Sequence, residues 1–292
     1  MKNISEKAMK IIQKMQQNEL NESYIYRAIA KSVKNKHNKE TLLRLADEEQ
    51  KHYKIWENYT KKSLKPNKLK VFKYKILAKI LGFTFAVKLM EKGEAGAQKE
   101  YALLEEEVKE SKMIKEQEEE HEQALLEILD EERLQYVGSM VLGMNDALVE
   151  LTGSLAGFTF ALQNTKLVAL SGLIIGISAT LSMASSEFLA ARSEGRKDAF
   201  KSCAYTGVAY LITVVLLILP YLLFTNTQYI YALLCMIGIV IAIIAMFTYY
   251  ISVAKDEKFT PKFLEMSLIS VGVALISFVV GILAKQFLGV DV

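Results

Sequence analysis

From Ile4 to about Arg133, apolar residues recur every three or four positions, as in Ile11, Met15 and Leu20 or Leu42, Leu45 and Ala46. That is the period of an amphipathic helix, and no stretch shows the two-residue alternation of a strand. Polar breaks at 35–38, at Pro66 and Asn67, and at 109–112 predict four long helices in two antiparallel pairs, with the longer connection between the pairs. Beyond Tyr136 the pattern changes to long runs of Leu, Ile, Val, Ala and Gly. A helix needs about 20 such residues to cross a ~30 Å hydrocarbon core. Five segments qualify, at about 137–160, 167–190, 204–224, 229–253 and 264–288. The expected fold is therefore all-α in two domains: a four-helix bundle over 1–134 and a five-transmembrane-helix domain over 135–292.

Charge sharpens this division. Charged residues make up 24% of the chain and fall mostly in the first domain, while the net charge of +3 is too small to suggest a nucleic-acid partner. The two cysteines, Cys203 and Cys235, lie in the apolar half without a Cys-x-x-Cys, which excludes a disulfide framework or thiolate zinc site. The N-terminus has no apolar signal core, so the first domain is expected to stay on the side where it is made. Short loops give the orientation: Arg192, Arg196, Lys197 and Lys201 follow the second apolar segment and Lys255, Lys258 and Lys262 follow the fourth, whereas the alternate loops hold only Lys166. Positive loops face the cytoplasm. The bundle is thus expected in the cytoplasm and the C-terminus outside, in a plasma membrane.

Between Lys65 and Lys92, lysines alternate with Phe, Ile and Leu at helical spacing. Such a basic amphipathic helix either lies on an anionic membrane surface or packs on the bundle as a crossover.

An internal repeat carries the chemistry of the first domain. Glu19 precedes Tyr26 by seven residues and Glu94 precedes Tyr101 by seven, and each pair is followed by a Glu-x-x-His, Glu49 to His52 and Glu118 to His121. That spacing puts a carboxylate and an imidazole on one helix face. Two such helices, with one Glu from each partner helix, form the ligand set of di-iron and di-manganese carboxylate bundles. Oxygen and imidazole donors suit Fe or Mn better than a thiolate-preferring metal. Of three histidines, only His37 falls outside the motif, where it is expected to be solvated in a turn.

In the membrane half, Asp146 and Glu150 stand one turn apart on the first apolar segment, as do Met183 and Glu187 on the second. A charge at the bilayer centre costs at least ~2.5 kcal/mol, so these residues mark an ion path. The small-residue spacings Gly153/Gly157 and Gly172/Gly176 predict close helix packing.

Residues from about 10 to 130 resemble the rubrerythrin and bacterioferritin branch of the ferritin-like superfamily. The resemblance rests on Glu19, ADEEQKH ending at His52, MEKGEAG with Glu91 and Glu94, and QEEEHEQ around Glu118 and His121. It implies a di-iron site and makes Glu91 either an additional metal ligand or a surface acid. The rubredoxin-like cysteine module of many rubrerythrins is absent.

The stretches MVLGMNDALVELTGSLAGF and ISATLSMASSEFLAARSE resemble the opening helices of the vacuolar iron transporter family. That resemblance implies a dimeric five-helix fold exchanging Fe(II) or Mn(II) for protons, with Asp146, Met183 and Glu187 on the pathway. Plant and fungal-type members carry a Glu/Met-rich insert where this chain has only 192–203, so metal collection would fall to the bundle. The combination resembles membrane-bound ferritin-type iron exporters. The expected function is proton-coupled export of Fe(II), with Mn(II) a second cargo, a cytoplasmic bundle that captures or senses iron, and ferroxidase activity of that bundle an accompanying expectation. The alternative is a membrane-anchored di-iron oxidase or peroxidase without transport.

Overall fold

The structure is a computed structural model and describes residues 4–94, 104, 105, 107–128, 136–255 and 257–288, all of them helical or connecting. It divides into two compact units, Met1–Glu132 and Arg133–Val292.

The described part of the first unit contains α1 (Glu6–Ala30), α2 (Lys36–Thr60), α3 (Lys68–Leu81), α4 (Phe83–Glu94) and α5 (Glu110–Ile128). The Ser5 side chain caps α1 by accepting from the Ala8 N–H, and Asn35 caps α2 by accepting from the Asn38 N–H. His37 therefore sits in the first turn of α2 rather than in a turn between helices, and it is exposed. Side-chain links between Gln16 and Thr60, Ser23 and Ala46, and Arg27 and Asp47 show that α1 and α2 run antiparallel. The expected single third helix is interrupted at Gly82, whose φ of 98° places it where L side chains are strained.

Two apolar clusters sandwich a polar layer. Ile25 and Ile29 of α1, Leu42 and Leu45 of α2, Tyr74 and Ala78 of α3, Met90 of α4 and Leu125 of α5 belong to one cluster. Ala8, Ile12, Met15, Trp56 and Ile114 belong to the other. On α1, α2 and α5 the residues between the clusters are Glu19 and Glu22, Glu49 and His52, and Glu118 and His121.

The second unit contains α6 (Val137–Leu162), α7 (Thr165–Ser193), α8 (Ala199–Leu223), α9 (Tyr229–Ala254) and α10 (Phe259–Leu288), with a 3₁₀ turn at Asn226–Gln228. Among the described residues, four helical segments are long and apolar enough to cross a membrane: Thr165–Ser193, Ala199–Leu223, Asn226–Ala254 and Phe259–Leu283. The fifth expected span, α6, has the length but not the apolarity. Its apolar face is nevertheless packed inside the unit: Ala147, Leu148, Leu151 and Leu155 are fully buried in a cluster drawn from all five helices. By contrast, large apolar side chains such as Leu181 on α7, Leu222 on α8 and Leu268 on α10 are more than 60% exposed, as suits a lipid solvent.

The glycine spacings acquire definite partners here. A Cβ on Gly153 would lie 2.9 Å from Val273 and one on Gly281 would lie 2.5 Å from the Gly157 carbonyl oxygen, so α6 and α10 meet almost backbone to backbone. Gly172 and Gly176 of α7 make room for Leu155 of α6 and Val214 of α8.

Candidate metal centre

The polar layer of the first unit brings together Glu19, Glu49, His52, Glu118 and His121 of the repeat. One atom from each of Glu49, His52, Glu118 and His121 lies within 4.8 Å of the others, and the carboxylates of Glu19, Glu22 and Glu49 form a second such group. Glu49 belongs to both.

The geometry is that of two carboxylates each spanning two imidazoles. Glu49 presents Oε2 to His52 Nδ1 at 3.5 Å and Oε1 to His121 Nδ1 at 3.0 Å. Glu118 presents Oε1 to His52 Nδ1 at 3.0 Å and Oε2 to His121 Nδ1 at 3.7 Å. The two rings are nearly parallel, 5.5 Å between centroids. Their far nitrogens are also held: His52 Nε2 meets Gln117 Oε1 at 2.8 Å and His121 Nε2 meets Glu48 Oε2 at 2.9 Å. Trp56 Nε1 donates to Glu19 Oε1 at 3.2 Å.

This layer is costly as it stands. Glu19, Glu22, Glu49, His52 and His121 are each at most 5% exposed, and a buried ion loses several kcal/mol of solvation unless it is well paired. Burial together with the charges of Glu118 and Glu49 raises the Glu19 pKa well above the carboxylate range. Burial opposes charge on both imidazoles, but neighbouring carboxylates prevail. Glu118, Glu19 and Glu49 raise His52 far above the usual range, and Glu118 and Glu49 raise His121 to about 10. Burial likewise opposes the charge of Glu118, which the two imidazoles nonetheless hold at about 2.

Three atoms aimed into the layer, Glu49 Oε2, His52 Nδ1 and Glu118 Oε1, are buried without a hydrogen bond of good geometry. Orphaned acceptors and an imidazole nitrogen converging on one space fit a cation better than they fit one another. The donor set of carboxylate oxygen and imidazole nitrogen fits Fe or Mn.

Sequence spacing missed Glu22, Glu48 and Gln117. Glu22 was within reach, since it follows Glu19 by three residues and so shares its face. Glu91 of α4 is half-buried and belongs to neither group. The side chain of Glu94, and Tyr101, lie outside the described residues.

The acids of the second unit are arranged differently. Asp146 is half-buried on α6, where it lines a surface cavity with Gly138, Val141, Leu142, Asn145 and Val149. Glu150, one turn on, is exposed and accepts a hydrogen bond from Tyr210 at 3.0 Å. Met183 packs partly buried against the apolar cluster. Glu187 is held by Ser139 at 2.9 Å, by Arg196 at 3.0 Å and by Ser202. Neither Met183 nor Glu187 lines the Asp146 cavity. All metal-competent groups of His, Cys, Asp and Glu found among the described residues lie in the first unit.

Residues 137–199 match the VIT family, the vacuolar iron transporters. The matched stretch spans α6, α7 and their connection to α8, and includes Asp146, Glu150, Met183, Glu187 and Arg196. With the apolar helices, it points to membrane transport of metal ions. No curated protein and no solved structure matches the chain. The matched stretch includes none of the first unit, so the ferritin-like reading of that unit rests on its side chains alone.

Proposed function

We propose that the protein exports Fe(II), with Mn(II) as a second cargo, across a plasma membrane in exchange for protons, and that its first unit collects the metal. The observation that carries this reading is the buried layer in which Glu49 and Glu118 each span His52 and His121, in a chain whose residues 137–199 match the VIT family.

In this reading the first unit is cytoplasmic and ferritin-like, and holds two metal ions. Glu49, Glu118 and Glu19 would hold them through carboxylate oxygen and His52 and His121 through imidazole nitrogen, with Glu94 and Glu91 as further carboxylate ligands and Glu22 beside Glu19. A bound metal pair would supply Lewis-acid and one-electron chemistry, from which ferroxidase activity would follow. The chain's own contribution is a buried, carboxylate-rich layer that fixes the imidazoles through Gln117 and Glu48.

The second unit supplies the path. Asp146 is the cargo-binding and proton-exchanging carboxylate, with Glu150 one turn away and Met183 lending a softer donor. Glu187, clasped by Arg196 and two serines, closes the cytoplasmic end. Five helices span the bilayer, α6 tolerating its acids because a second copy of the chain completes the path. The short 194–198 connection leaves metal collection to the first unit.

Proteoliposome flux tests this reading. Fe(II) movement should depend on an imposed pH gradient and fall at least about tenfold in Asp146→Ala, the scale expected when a site loses its central charge. Flux that ignores both the gradient and the substitution would refute transport by this path. Oxygen or peroxide consumption persisting alone would then identify a tethered oxidase.

A further inference from the structure

Helix α3 has two apolar faces, one buried and the other exposed among the described residues. Tyr74 and Ala78 are buried in the core of the first unit, with Val71 and Leu77 packed beside them. On the opposite side, Leu69, Phe72, Ile76 and Ile80 are 81%, 59%, 38% and 65% exposed. Their positions, i, i+3, i+7 and i+11, form a stripe along three turns. Lys68, Lys75 and Lys79 border it on one side and Lys73 on the other, all of them exposed.

The charge of this segment is one-sided. No acidic residue occurs between Glu57 and Glu91, while nine lysines do. A protein partner would have to bring both an apolar groove and a surrounding acidic rim. An anionic bilayer presents both everywhere on its surface, because lysines bordering an apolar stripe can reach the lipid phosphates while the stripe enters the acyl boundary. Among its described residues the same chain has four helices long and apolar enough to cross a membrane, which would bring such a surface within reach.

We propose that α3 is an in-plane membrane helix: Leu69, Phe72, Ile76 and Ile80 insert into an anionic leaflet, and Lys68, Lys73, Lys75 and Lys79 bind its lipid phosphates. Tyr74 and Ala78 keep the helix attached to the first unit, so the polar layer of that unit is held near the lipid surface. This holds whether or not the second unit transports metal.

The test uses the full chain with Cys203 and Cys235 replaced by serine, an NBD fluorophore on Ile76→Cys, and lipid nanodiscs containing doxyl-labelled lipid. In discs with phosphatidylglycerol, NBD at position 76 should be quenched at least about twice as strongly as NBD on Lys36→Cys at the exposed start of α2. Changing Lys68, Lys73, Lys75 and Lys79 to Gln should weaken the attachment by about fivefold for each lysine removed and return the quenching toward that of position 36. Equal quenching at the two positions overturns the proposal, whether water or another protein surface covers the face. Quenching that is the same in phosphatidylcholine alone, and unchanged in the Gln variant, overturns the anionic-lipid assignment.

Discussion

The two units treat their acids in opposite ways. In the first, Glu19, Glu22 and Glu49 are sealed between two apolar clusters, and Glu49 reaches both imidazoles. In the second, Asp146 is half-buried beside a surface cavity, Glu150 is exposed and bonded to Tyr210, and Glu187 is clasped by Arg196 and serines. A converged, dehydrated donor set binds tightly and releases slowly. Dispersed carboxylates with exchangeable protein partners bind weakly and let go. Under the proposed division of labour, the contrast is that between a holding site and a passage.

The largest effect should come from the holding site. Glu49→Gln removes an oxygen shared by both donor groups and should lower the metal affinity of the full chain about 100-fold or more, measured by equilibrium dialysis with Mn(II). Asp146→Ala should leave that affinity unchanged while abolishing flux. If Asp146→Ala also empties the chain of tightly bound metal, the contrast between the units fails.

Packing in the second unit ranks next. A Cβ at Gly281 would meet the Gly157 carbonyl oxygen at 2.5 Å, a backbone atom that cannot turn aside. Gly281→Ala should therefore cost about 1–3 kcal/mol. Gly238→Ala, with nothing within 4 Å of its added carbon, should cost nothing. Thermal unfolding in detergent separates the two.

The holding site should also respond to pH. In the metal-free layer the carboxylates hold His52 protonated and raise His121 to about 10, so metal must displace protons. Raising the pH removes that competition. Apparent affinity should rise between pH 6 and 8, by up to about tenfold per unit for each proton displaced, and a pH-stat should record proton release on loading. Affinity falling over that range would contradict the electrostatics of the layer.

The smallest effect belongs to Arg196. Its pairing with Glu187 is partly exposed and two serines remain to hold the carboxylate, so Arg196→Gln should change flux only a few-fold, consistent with the ~0–1 kcal/mol of such pairs.

Much of this architecture can be read from spacing, and what cannot has physical reasons. Three residues separate Glu49 from His52 and Glu118 from His121, which places each pair on one helix face before any fold is known. Spacing along one helix does not reveal what another helix brings, so Glu48 and Gln117, which steady the far ring nitrogens, stayed hidden. The break at Gly82 was equally silent, because an isolated glycine in a helical pattern costs only about 1 kcal/mol. Gly153 and Gly157 announced a close approach without naming α10 as its partner. Hydropathy undersells α6, because Asn145, Asp146 and Glu150 lower its average while its apolar face packs in a cluster drawn from all five helices.

Trp56 is the only tryptophan in the chain, and its indole donates to Glu19 in the second donor group. The protein thus carries its own optical reporter. Excited at the red edge, beyond tyrosine absorption, emission from the intact chain arises from one ring touching the metal layer. Occupancy of the proposed metal site can then be followed as quenching in liposomes of the purified protein, without label or tag.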